Sequence, residues 1–169
     1  MNTSVAVADW IRRVADDERQ RDIVRAKQTE LAARKDDLVA RQGRRLLDEL
    51  RAAVVRDAGA FRDEFAGDRS RDVAVDLGLP AGGFAVHKPP PSPVALTVTA
   101  SADSASLICS YRFTPTDGMP PREDCVHIMF VDGGGETLRM KHNGTGKTFT
   151  SGDDLSEFLL VPVLTGRPR

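Results

Sequence analysis

The chain has 169 residues, is 40% hydrophobic and is nearly balanced in charge, with 24 Lys and Arg against 25 Asp and Glu. That length suits one compact domain with an appendage, and the balance argues against a dedicated nucleic-acid binder, whose phosphate partners demand a clear basic excess. No segment approaches the roughly 20 consecutive apolar residues that span a bilayer, and the opening MNTSVAVADWIRRVADDE lacks a basic stretch leading into an apolar run. A cytoplasmic protein without a membrane partner is the expectation. The Arg-, Ala-, Val- and Asp-rich usage is common in GC-rich bacterial genomes and carries no chemistry. Cys109 and Cys125 each lie in an apolar, strand-like run, where a small buried thiol is expected rather than a disulfide framework.

From about Ser4 to Ala66 there is no proline, and Ala, Leu, Arg, Glu and Asp dominate, all compatible with helix. Asn2, Thr3 and Ser4 offer N-cap oxygens, and Gly67 with Asp68 offers a stop. Apolar residues keep helical spacing in two patches: Val7, Trp10, Ile11 and Val14, then Leu46, Leu47, Leu50, Val54, Ala58, Phe61 and Phe65. Between them the stripe thins to Val24, Leu31 and Leu38, with Gln28 and Lys35 where a second seam residue would stand. A two-chain coiled coil with both seam positions filled is therefore not expected. Acid-before-base pairs at four-residue spacing, Asp17 with Arg21, Glu30 with Arg34 and Asp37 with Arg41, instead suit a solvated face. Unbroken, such a helix would reach roughly 90 Å at about 1.5 Å per residue. Glycine costs about 1 kcal/mol in a helix interior, so Gly43 predicts a bend or break, or else a helix that stands as an arm.

After Arg71, prolines, glycines and short alternating runs take over, which reads as strand. The predicted strands are Asp72 to Leu77, Phe84 to His87, Val94 to Ala100, Ser104 to Phe113, Cys125 to Val131, Thr137 to His142 and Lys147 to Thr150. Ala102-Asp103 is expected as a tight hairpin joining the third and fourth. The proline run from Pro89 to Pro93 is too stiff to pair and reads as a connector, and Thr114 to Asp124 as a longer surface loop. Ser151 and Asp154 form a capping box opening a last helix, with Leu155, Phe158 and Leu159 buried and Pro162 ending it early. The fold class is α+β: a long N-terminal helix, bent or straight, packed on an antiparallel sheet, with a short C-terminal helix. Residues 1–67 form the helical arm and 68–169 the sheet domain.

Gly146-Lys147-Thr148 ends like a phosphate-binding loop, but Lys141 stands where the pattern G-x-x-x-x-G-K-[ST] needs its first glycine. The strand before it carries Arg139 and Lys141, whereas a strand feeding such a loop is buried on both faces. Ile128 to Asp132 imitates the second nucleotide motif, yet Gly133 to Gly135 follow it as a turn. Asn143 to Gly146 is then a hairpin turn. No C-x-x-C or H-x-x-x-H spacing calls for a metal, and no cofactor is implied. Cys125 beside His127 is the nearest approach to a nucleophile and base, without a third group to orient the pair.

With Val126, Ile128 and Phe130 facing the helix layer, His127, Arg112, Arg139 and Lys141 fall on the outward side. Lys147 is expected near the same edge. Such a basic face would suit an anionic ligand. The leading reading is a non-catalytic interaction or assembly module, its arm docking a protein partner or a second copy through Val7, Trp10, Ile11 and Val14. The alternative is a ligand-binding domain or small enzyme using the basic sheet face.

Overall fold

A computed structural model describes residues 8–169. One helix, α1, runs Asp9–Glu64; the N-cap expected at Asn2 to Ser4 lies outside the described residues. Past its end Gly67 takes the left-handed conformation, φ 89°, as a stop glycine does. No break occurs at Gly43. That glycine is buried within the helix, and the place of a β-carbon on it lies 3.5 Å from Val39 Cγ1, one turn back. Leu38, Leu46, Leu47 and Leu50 are buried on either side of it, and burial of an apolar stripe on this scale outweighs a single unfavourable propensity. The chain divides into two compact units, Met1–Asp37 and Leu38–Arg169, so the division falls inside α1.

The second unit is built on seven strands: β1 Ala74–Asp76, β2 Phe84–Lys88, β3 Val94–Ala100, β4 Ser106–Phe113, β5 Arg122–Asp132, β6 Leu138–His142 and β7 Thr148–Phe149. They form one sheet in chain order, every neighbouring pair antiparallel. All seven expected strands are present, all but β3 with boundaries shifted by one to three residues, and two of the shifts have a clear cause. The β3–β4 connection spans 101–105, wider than a hairpin on Ala102-Asp103: Asp103 Oδ1 accepts from Ala105 N at 3.0 Å and from Ser101 Oγ at 2.6 Å, and Ser104 holds φ 56°. Strand β5 starts at Arg122 rather than Cys125, because Arg122, Glu123 and Asp124 continue the ladder opposite Phe113, Arg112 and Tyr111. Cross-strand pairing overrides the low strand preference of Glu and Asp.

One sheet face is covered. Val86, Leu96, Val98, Leu107, Cys109, Ile128, Phe130, Met140 and Phe149 are buried together with Leu46, Leu50 and Val54 of α1. The same core takes in Leu155, Leu159 and Val163 of the last helix, α2 Gly152–Thr165. Truncating any one such leucine to alanine costs about 2–5 kcal/mol. The residues that alternate with them point to the open face, the layering an antiparallel sheet favours when one side packs and the other meets water.

Helix α2 is held to α1 at short range. Ser151 Oγ caps it by accepting from Asp154 N at 3.2 Å, as the capping-box spacing predicts. A β-carbon on Gly152 would stand 2.7 Å from the backbone of Glu49 and Leu50. Buried Ser156 donates to Asp57 Oδ2 at 2.7 Å, and Arg56 bridges to Asp153 at 2.9 Å. From α1, the Gln42 amide reaches the β5–β6 hairpin: its Oε1 accepts from Leu138 N at 2.9 Å and its Nε2 donates to Glu136 O at 2.6 Å. One side chain thus meets a donor and an acceptor of the same strand end.

Pro162 does not end α2. It sits inside the helix, where it lacks the N–H that would serve the Phe158 carbonyl. That carbonyl accepts instead from Arg169 Nη2, and the neighbouring Leu159 carbonyl accepts from the buried Tyr111 hydroxyl at 2.8 Å. Gly166, φ 70°, then closes the helix, and Lys88 Nζ donates to Leu164 O at 3.0 Å, a cation at the negative end of the helix dipole.

Candidate functional site

Strand register decides what the open face carries. His127 lies opposite Ile108, Arg112 opposite Glu123, Lys141 opposite Met129 and Thr148, and Arg139 opposite Val131. Facing residues of an antiparallel pair share a side, so these four share the outward face, with Ile128 and Phe130 buried behind. They do not gather. Arg112 stands at one end of β5, with its guanidinium 3.4 Å from Glu123. Arg139 lies across Gly133 near the other end, where a β-carbon would meet its side chain at 2.7 Å. Lys147 is on the other side of the sheet altogether. It shares the parity of buried Phe149, and its ammonium sits 5.4 Å from that ring and 5.7 Å from the ring of Phe158. The basic face expected from five residues reduces to His127 and Lys141, diagonal neighbours on β5 and β6, with Arg139 one step further along.

The cysteines separate by the same parity. Cys109, opposite Val126, is buried, and burial drives its thiol far above the ordinary range. Cys125, opposite Ser110, is exposed, which corrects the expectation of two buried thiols. Its Sγ lies 3.5 Å from His127 Nε2. A thiol and an imidazole meet here at hydrogen-bond range, and among the described residues no acid is bonded to the ring.

The stretch from Lys141 to Thr148 is a turn built around one histidine. His142 Nδ1 meets Thr145 Oγ1 at 2.7 Å and accepts from Thr145 N at 3.3 Å; Gly146 N donates to His142 O and His142 N to Lys147 O. Gly146 supplies φ 74°, a value glycine adopts at little cost. The Thr145 and Gly146 donors are thus spent within the turn and that of Asn143 goes to His127 O at 3.0 Å, while the chain returns antiparallel into β7 and not into a helix. Behind it the His142 ring packs 5.2 Å from Phe158, and burial there, with Arg169 nearby, holds its pKa below the ordinary imidazole value. Asp132, the aspartate of the second imitated motif, accepts from Gly134 N at 2.9 Å as a turn former.

The first unit presents a different surface. Along α1, Trp10 is 61% exposed, and Ile11, Val14, Ile23, Val24 and Leu31 are exposed as well; Val7 lies outside the described residues. The sequence pointed to Trp10, Ile11 and Val14, but Ile23, Val24 and Leu31 extend the apolar surface. The seven-residue spacing of Val24 and Leu31 is visible in the sequence, and the charged residues around them already read as a solvent-facing stretch. Three ion pairs here stand at three-residue spacing: Asp16 with Arg19 and Glu18 with Arg21 at 2.6 Å, Asp22 with Arg25 at 3.2 Å. Arg21 therefore turns to Glu18 and not to Asp17 as its spacing suggested. Such exposed pairs contribute about 0–1 kcal/mol each.

Among the described residues no group of three or more His, Cys, Asp or Glu is placed to hold a metal ion, and no helix is long and apolar enough to cross a membrane. No family model matches the chain, and no curated protein or solved structure is similar to it.

Proposed function

We propose that this protein is a non-catalytic assembly module that docks through the N-terminal part of α1 onto a protein partner or a second copy of itself. One observation carries the reading: within residues 9–37, six large apolar side chains, Trp10, Ile11, Val14, Ile23, Val24 and Leu31, are each more than 40% exposed. An isolated helix of this kind gains most of its stability from burying such a face, and contiguous exposed apolar surface marks interaction sites. The exposed free thiol of Cys125 suits a reducing, cytoplasmic setting. Light scattering on the purified chain tests the reading: it expects a dimer or larger species that is lost when Trp10, Ile11 and Val14 are replaced together by Gln, Thr and Thr. A strictly monomeric chain that captures no partner, unchanged by that replacement, would overturn it.

An anionic ligand on the open sheet face is the second reading, favoured by the diagonal placement of His127 and Lys141. It expects a thermal shift with an anion that disappears in Lys141→Ala. No shift across phosphates, carboxylates and nucleotides would remove it.

A further inference from the structure

The charges that interrupt the apolar seam of α1 are self-complementary in one orientation only. Trp10, Val14, Asp17, Arg21, Val24, Gln28 and Leu31 follow the alternating four- and three-residue spacing of a helix-packing seam, and the apolar members are exposed. Read along the seam, the sequence is apolar, apolar, acidic, basic, apolar, polar, apolar. In a parallel pair of identical helices every seam residue faces its own copy. Asp17 would then meet Asp17 and Arg21 would meet Arg21, two like-charge contacts in successive layers. In an antiparallel pair the order reverses, and one register sets each Asp17 against Arg21 of the second copy.

That register also suits the neighbouring apolar seam positions. It brings Val14 against Val24 and Trp10 against Gln28, each contact occurring twice by the two-fold symmetry of a closed dimer. The complementarity lies in the seam and not on its flanks, where the same register brings Glu18 close to its own copy at the two-fold axis. Arg21 leaves an exposed contact with Glu18 to reach Asp17, a small loss because such surface pairs hold little energy. We propose, resting on the assembly reading, that residues 9–29 dock on the same segment of a second copy, antiparallel, in the register that pairs Asp17 with Arg21.

Charge exchange in the full-length chain tests this, with sedimentation equilibrium giving the dimer dissociation constant and circular dichroism confirming helix content in each variant. Asp17→Arg and Arg21→Asp should each weaken the dimer by roughly tenfold or more, since each sets like charges together in both symmetry-related contacts. The double exchange, Asp17→Arg with Arg21→Asp, should recover wild-type affinity. A wild-type dimer whose double exchange stays as weak as the singles, or in which neither single matters, overturns the orientation while the assembly reading stands. A wild type that remains monomeric overturns this self-docking, and one that also captures no partner overturns the assembly reading with it. A second measurement needs no charge change: a nitroxide at position 12, in a Cys125→Ser background, should lie at least about 21 Å along the axis from its copy, 14 residues at 1.5 Å each. Two labels within roughly 15 Å, the lateral spacing of parallel packed helices plus linkers, would also overturn it.

Discussion

Arg169 donates to the carbonyl oxygen of Phe158 and lays its guanidinium 3.5 Å above the centre of the same residue's ring. The carbonyl is the one Pro162 leaves without a helical donor, so the contact explains how a proline stands inside α2. A buried acceptor left without a partner costs about 1–3 kcal/mol. Arg169→Ala should therefore lower stability by roughly 1–2 kcal/mol in urea unfolding. In a Pro162→Ala background, where residue 162 again supplies an N–H, the same substitution should cost about 1 kcal/mol less. Loss of the ring contact is common to both backgrounds, so the difference isolates the hydrogen bond; equal costs would refute this account.

Two of the helix glycines, Gly43 and Gly152, should respond oppositely to alanine. At Gly43 the added methyl meets only ordinary contact with Val39, and alanine favours the helix by about 0.5–1 kcal/mol. Gly43→Ala should raise the melting temperature by about 1–4 °C for a chain of this size.

Gly152 has no such room. Its methyl would stand 2.7 Å from backbone atoms of Glu49 and Leu50, which cannot rotate away as a side chain would. Gly152→Ala should separate α1 from α2 and lose about 1–3 kcal/mol, measured as a drop in the denaturation midpoint. An unchanged midpoint would mean the helices tolerate a wider spacing.

His142 makes stability depend on pH. Its folded pKa lies below 6.5, chiefly through burial and secondarily through Arg169, so the unfolded chain binds more protons here than the folded one. Stability from this group is complete above about pH 6.5 and falls as pH drops through that value toward the lower folded pKa. Protonation also removes the acceptor that holds Thr145 N. Unfolding free energy measured between pH 7.5 and 5 should fall in the wild type and fall less in His142→Gln; parallel curves for the two would exclude the assignment.

Lys147 should matter to packing and not to nucleotides. Its ammonium faces the rings of Phe149 and Phe158, contacts that contribute about 0.5–1 kcal/mol at an exposed site. Lys147→Ala should lose about that much stability, and titration with ATP or GTP should show no binding before or after.

The architecture was legible because its signals are local: a proline-free helical stretch, seven alternating runs and a capping box at Ser151. What escaped depends on parity and on distant contacts. Lys141 and Lys147 flank one turn, yet the path of the chain through it sends them to opposite sides of the sheet. Cys125 looked like Cys109 in composition, and only pairing with Ser110 in place of Val126 exposes it. Pro162 read as a helix stop because its rescue comes from Arg169, outside any window a propensity argument uses. The exposure of Val24 and Leu31 agrees with the solvated face that the acid–base spacing suggested, whereas Ile23 had no place in the stripe read from the sequence.

The two outermost strands, β1 with three residues and β7 with two, set a limit on how copies of this chain can meet. A sheet grows across molecules by laying one exposed rim against another, and such growth needs a rim long enough to form several successive rungs. Neither rim here supplies them. Fibre-like growth of the sheet edge to edge is thereby disfavoured at both margins.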